Sequence, residues 1–138
     1  MLSKKLIFLL WVATLLANVD EYISQINTNV TNGKFQDAIE IFDKALLEYD
    51  ASSDLYYIGA QLSIKMDDLD QANKYFVKSI ELDPKNEEYR NAQQKLAELK
   101  DALTKIRKTF DSGLIDESII EYEKLTNQYT ENAIVFYN

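Results

Sequence analysis

The sequence predicts an all-α chain built from antiparallel helix hairpins. Three observations carry that prediction. Only 3 Gly and 1 Pro occur in 138 residues, so turns are few and helices run long. From Tyr89 to Phe110 apolar residues recur at alternating steps of three and four, the spacing of one helix face. Small and aromatic residues also repeat at a fixed offset of 34: Ala38 with Ala72, and Phe42 with Phe76. A constant offset of that size means one supersecondary unit used more than once.

Residues 1–17, MLSKKLIFLLWVATLLA, have the layout of a secretory signal peptide. Lys4 and Lys5 form a basic start, Leu6 to Leu16 an apolar run, and Ala17 a small residue before polar Asn18. The apolar run is shorter than the roughly 20 residues that span a bilayer. Cleavage after Ala17 is expected, leaving no stable membrane span; the alternative is a short membrane anchor. Removing Lys4 and Lys5 deepens the formal charge of −8 by two. Asn29-Val30-Thr31 is a lone glycosylation sequon, which has meaning only in a secretory lumen.

The remainder, 18–138, reads as one repeat domain. The first unit spans about residues 19–52. Gly33 stands at its turn, and Phe35, Ala38, Phe42 and Ala45 occupy a second helix. Its first helix, with Tyr22, Gln25 and Ile26, is less regular. The second unit, about 53–86, opens a helix with Tyr56 and Tyr57 and places small Gly59 and Ala60 mid-helix. Asp67-Asp68 makes a polar turn. Ala72, Phe76, Ser79 and Ile80 form the next apolar stripe, and Pro84 stops it. Small Ala72 allows a close crossing, and Phe76 fills the space between the helices.

Residues 87 to about 130 read as a third unit whose first helix is extended. No turn residue appears until Asp111-Ser112-Gly113, so Tyr89, Ala92, Leu96, Leu99, Leu103, Ile106 and Phe110 belong to one extended helix, read as an intramolecular seam. After Gly113, Ser118, Tyr122 and Leu125 stand where Ala72, Phe76 and Ser79 stood. Ala133 to Tyr137 then begins a further helix of barely two turns. Being short and apolar, it can dock on Ile119 and Tyr122 but not cover that face, so self-association through this end of the chain, or pairing with a partner there, is expected.

The marks quoted for 53–86 resemble a tetratricopeptide repeat, a 34-residue helical hairpin. That resemblance implies a short right-handed solenoid of antiparallel hairpins, with one extended helix here. It also implies a concave groove lined by the first helices. In this register the groove residues are Ile23, Asn27 and Val30, then Tyr57, Gln61 and Ile64. The set mixes apolar side chains, which bury a partner's hydrophobic groups, with amides, which bond an extended backbone. The alternative is that Ile23 and Ile64 are packed between helices and the groove is idle. The carboxylate clamp used by some repeats of this family requires a Lys and two Asn. Asn27 matches, but Ile23 and Ile58 replace the other donors, so a terminal carboxylate would be poorly paired.

Composition excludes other chemistries. The chain has neither Cys nor His, which removes disulfides, thiol nucleophiles, His-based triads and Cys/His zinc sites. Its acidic balance disfavours nucleic acid, whose phosphates require basic patches. Asp67, Asp68 and Asp70 cluster in one turn, but no calcium-loop Gly or closing Glu follows, so they read as helix caps. Glu117, Glu121 and Glu123 read as a solvated face. No cofactor, metal or catalytic residue is expected.

DPKNEEYRNAQQKL, followed by a long helix and FDSGLIDESIIEYEKL, resembles the repeat region of endoplasmic-reticulum DnaJ co-chaperones. The resemblance implies binding of unfolded protein or peptide clients in the lumen and delivery to the heat-shock chaperone BiP. J-domain activity is not carried over, because its His-Pro-Asp motif needs a His. The expected function is a non-enzymatic protein-binding module of the secretory pathway, in the endoplasmic reticulum or secreted; the alternative is a scaffold or adaptor for one folded partner. On this reading, amino-terminal sequencing of the mature protein should start near Asn18. Recovery from carbonate-washed membranes with Met1 intact would instead mark residues 1–17 as an anchor.

Overall fold

The computed structural model describes residues 3–132, except for the side chains of 6–17 and 129–132. Among the described residues there are six α-helices and no strand: α1 (Lys4–Thr31), α2 (Phe35–Glu48), α3 (Ser53–Lys65), α4 (Leu69–Leu82), α5 (Glu87–Asp111) and α6 (Ile115–Asn132). They pair in sequence as hairpins α1/α2, α3/α4 and α5/α6. The chain divides into two compact units at Asn86, the first holding α1–α4 and the second α5–α6.

One turn design closes all three hairpins. In each, a residue in the left-handed region follows the first helix: Gly33 (φ 71°), Asp67 (φ 62°) and Gly113 (φ 83°). In the first turn the Gly33 N–H donates to Val30 C=O at 3.0 Å and the Lys34 N–H to Asn29 C=O at 2.8 Å. Asp67 and Asp68 repeat this onto Ile64 and Ser63 (3.0 and 2.9 Å), and Gly113 and Leu114 onto Phe110 and Thr109 (2.9 and 3.3 Å). This pair of bonds is the Schellman motif, which satisfies carbonyls orphaned at a helix end. The next residue starts the second helix at once. Lys34, Asp68 and Leu114 each accept the first helical bond, from Ala38, Ala72 and Ser118. Asp68 adds a side-chain cap, accepting from the Gln71 N–H at 2.9 Å, whereas Lys34 has no oxygen to offer and makes none. Ser52 caps α3 in the same way, accepting from the Leu55 N–H at 3.2 Å. Within the Asp67, Asp68 and Asp70 cluster, Asp68 takes the expected capping role.

In the first unit, Ile26, Ala38, Phe42, Ala45, Leu55 and Leu62 form the buried cluster. Ala72, Phe76 and Ser79 are fully buried in the second hairpin, so the residues 34 apart occupy matching interior places. The two hairpins meet where Phe42 of α2 lies over Gly59 of α3. A Cβ at position 59 would sit 2.6 Å from Cε2 of Phe42 and closer still to Cζ, far inside van der Waals contact. Tyr75 of α4 meets the same ring edge-on, with centroids 5.3 Å apart and planes at 73°.

α1 is continuous over 28 residues. No Gly or Pro falls between Lys4 and Thr31, and Leu and Ala are strong helix formers. The second unit differs from the sequence reading. α5 has 25 residues against 13 for α3, as the absence of turn residues requires. Its seam, however, is buried only at Tyr89, Ala92 and Leu96, and Phe110 is 55% exposed. Tyr122, at the place expected to match Phe76, is 51% exposed, while Ser118 is buried. The terminal stretch Ala133–Tyr137 lies outside the described residues.

Three substitutions test this packing by chemical denaturation. Phe76→Ala should cost about 3–5 kcal/mol, because a fully buried ring leaves a cavity. Gly59→Ala should cost about 1–3 kcal/mol by overpacking Phe42. Lys34→Asp should add about 1 kcal/mol by supplying the cap that Asp68 already provides in the second hairpin.

Candidate functional site

Two surfaces are candidates: the outward faces of the first helices in the amino-terminal unit, and an apolar groove in the carboxy-terminal one.

The six residues expected to line a groove behave differently from one another. Ile23 and Asn27 share a shallow depression of about 590 Å³ with Asp20, Ser24 and Thr31, all on α1. Asn27 is exposed and Ile23 half-buried. Ile23 and Val30 also pack against the buried cluster around Phe42. On α3, Tyr57, Gln61 and Ile64 are half-buried. The Tyr57 ring rests on Phe76, with centroids 5.7 Å apart and planes at 51°, so part of its apolar surface serves the hairpin core. The α1 depression is lined by α1 and the adjoining Asn32, and takes in none of the three α3 residues. Asn29, the sequon residue, is half-buried in the last turn of α1, and its Nδ2 donates to the Gln25 carbonyl at 2.9 Å.

At the other edge of α1, Tyr22 Oη donates to Glu48 at 2.9 Å, with the Lys44 ammonium 5.7 Å from its ring centroid. Desolvation and then the Glu48 carboxylate push the Tyr22 hydroxyl pKa upward from 10.0. The contact ties α1 to the end of α2 and presents no activated group.

Of the carboxy-terminal groove, the sequence points to Ile119 and Tyr122 as a dock for the terminal segment, but not to the trough they form with α5. Leu103, Ile106 and Phe110 of α5 and Ile119 and Tyr122 of α6 form an apolar trough of about 520 Å³. Arg107 and Glu123 stand along it on opposite helices. Leu114, Ile115 and Ile120 are each about half exposed on the same hairpin. The available signal was the pairing of apolar residues at Leu114-Ile115 and Ile119-Ile120. A helix with one buried face has no use for both members of such a pair. α5 and α6 are held in register by Glu121, whose carboxylate pairs with Lys105 at 3.0 Å and accepts from the Thr109 hydroxyl at 3.3 Å.

Among the described residues no group of three or more acidic side chains is placed to hold a metal ion. Among the same residues no helix is long and apolar enough to cross a membrane. The α1 surface offers amides and hydroxyls, and the α5/α6 groove offers apolar area with one charge of each sign, which suits binding.

The tetratricopeptide repeat family model matches residues 30–96. Over these residues the chain is similar to tetratricopeptide repeats. The segment runs from the last turn of α1 to Leu96 of α5, and includes the Phe42–Gly59 junction and the Tyr57, Gln61 and Ile64 face. Tetratricopeptide repeats are typically non-enzymatic modules that bind protein partners. A search of curated proteins finds none that matches the chain.

The Glu121 contact has a pH signature. The hydrogen bond from Lys105 is the first cause holding its carboxyl below 4.5, against an opposing desolvation. A depressed folded pKa contributes stability that is present above the unfolded value and lost as pH falls through the folded one. Acid titration followed by circular dichroism should therefore show an α5/α6 contribution fading only below the ordinary carboxylate range. Glu121→Gln should remove that acid-dependent component, and Glu117→Gln should leave it in place.

Proposed function

We propose that this chain is a protein-binding module of the secretory pathway that holds unfolded or extended polypeptide, as a chaperone or co-chaperone of the endoplasmic reticulum. The observation that supports this reading most is the side-chain mixture on the first helices of the segment similar to tetratricopeptide repeats and its approach. Ile23, Asn27, Gln61 and Ile64 retain accessible surface, with an amide beside an aliphatic group on each helix. An amide bonds a peptide backbone regardless of sequence, and an aliphatic side chain accepts any apolar neighbour. Such a pairing recognises extended chain without selecting one partner. Tyr57 contributes less than its position suggests, because its ring also supports Phe76.

In this proposal residues 1–17 direct the chain into the lumen and are removed, and α1 then begins near Asn18. BiP is the chaperone that receives the bound client. Asn29 is modified, if at all, before the last turn of α1 closes, since its amide nitrogen is engaged in the folded helix. The terminal segment 133–138 favours self-association. The apolar α5/α6 groove favours a second reading, in which the chain is a scaffold for one folded partner.

Binding to a chemically unfolded model polypeptide and to the same polypeptide folded separates the two readings. The first requires preference for the unfolded form. Asn27→Ala with Gln61→Ala should weaken that binding, while folding stability moves by no more than about 0.5 kcal/mol for each change. Unchanged affinity in the double variant, or a single stoichiometric folded partner recovered from the lumenal fraction, would favour the scaffold.

A further inference from the structure

The α5/α6 groove is self-complementary in charge as well as apolar. Its floor is formed by Leu103, Ile106, Phe110, Ile119 and Tyr122, the last three being about half exposed. Large side chains gathered this way mark an interaction surface, because each square ångström of apolar area left in water forgoes about 25 cal/mol. Arg107 stands on the α5 wall and Glu123 on the α6 wall. Neither has an ion-pair partner among the described residues.

Their heights along the hairpin can be read from Glu121. It reaches both Lys105 and Thr109, which lie one turn apart, so it is level with Arg107 between them. Glu123 is two residues further along α6, a displacement of about 3 Å. That distance is within the reach of an arginine side chain. Consider a twofold axis running along the hairpin, midway between the helices and in front of the groove. It lays α5 of one copy over α6 of the other, antiparallel and at the same height. Each Arg107 then faces the Glu123 of the opposite copy, and the two apolar floors close on each other. A symmetric contact of this kind is satisfied by two copies and does not propagate.

We infer that the groove between α5 and α6 is the docking surface for a second copy of this chain, in a twofold dimer with reciprocal Arg107–Glu123 pairs. The surface lies within residues 103–123.

The test is a charge exchange in the full chain, with mass measured by light scattering or sedimentation over a concentration series and helicity checked by circular dichroism. Arg107→Glu and Glu123→Arg should each weaken the dimer about tenfold, since each replaces two attractive pairs by two repulsive ones. The double variant carrying both changes should recover the original dissociation constant to within about threefold. Ile119→Asp should abolish association while helicity is retained. Association indifferent to both reversals would overturn the inference, because it would run through another surface, the apolar amino-terminal stretch included. A monomer at every concentration would overturn it too. So would a monomer that dimerises only after deletion of 133–138, which would make that segment the occupant. Capture of an amphipathic helical peptide in preference to a second copy would assign the groove to a partner helix.

Discussion

The close approach of Phe42 to Gly59 sets the arrangement of the amino-terminal unit. Phe42 is almost fully buried, and its ring occupies the space that any side chain at position 59 would need. Burial of such a ring is worth about 1.5–3 kcal/mol, and it is realised here on three helices at once. The ring belongs to α2, lies over the α3 backbone, and receives the edge of Tyr75 from α4. Gly59 is therefore a requirement of packing. It lets α3 come near enough for Leu55 and Leu62 to join Ile26, Ala38 and Ala45 in one cluster. That same approach decides how Tyr57, Gln61 and Ile64 are presented, since they are carried by the helix that Phe42 positions.

The three hairpin turns show how one backbone solution tolerates different residues. Gly33 and Gly113 enter the left-handed region without steric cost, and Asp67 enters it as one of the few side chains that can. The bonds onto the preceding helix are the same in all three. The chain keeps the geometry and varies the chemistry. Only at Asp68 does a capping oxygen follow the left-handed residue, and Lys34 leaves the start of α2 uncapped. The second hairpin is thus the better-specified copy at its turn as well as in its core.

The amino-terminal unit was legible in the sequence because each of its marks has a counterpart 34 residues away. Ala38 with Ala72 and Phe42 with Phe76 fall in matching interior places, and Gly33 with Asp67 in matching turns. A residue read twice in the same register is hard to misplace. The carboxy-terminal unit has a different spacing, with Ser118 and Tyr122 standing 46 residues after Ala72 and Phe76. Ser118 followed its counterpart into the interior and Tyr122 did not. A small residue is buried by the helix crossing itself, which α5 and α6 supply between them. A large ring needs a further neighbour, and no repeat register specifies one. The exposure of Phe110 has the same cause: a heptad-like stripe shows which face of α5 is apolar, but not how far along the helix a partner extends. Tyr57 was read as a groove residue from helix position alone, and its contact with Phe76 depends on the angle at which α3 meets α4.

The two candidate surfaces differ in how binding energy is obtained from them. On α1 the accessible groups are mostly carboxylate, hydroxyl and amide, with Ile23 as the apolar member. Hydrogen bonds formed there replace bonds to water, so each contributes only about 1 kcal/mol, and useful affinity requires several along an extended partner. In the α5/α6 groove the accessible groups are aromatic and aliphatic, flanked by one charge of each sign. Affinity there scales with the area withdrawn from water, and the flanking charges select orientation more than strength. An extended polypeptide has backbone groups to satisfy and little continuous apolar surface, which suits the first surface. A helical face has its backbone bonds already made and a continuous apolar stripe, which suits the second. The hairpin that forms the groove is itself such a helical face, and its opposite walls already carry the two charges that a twofold partner would need.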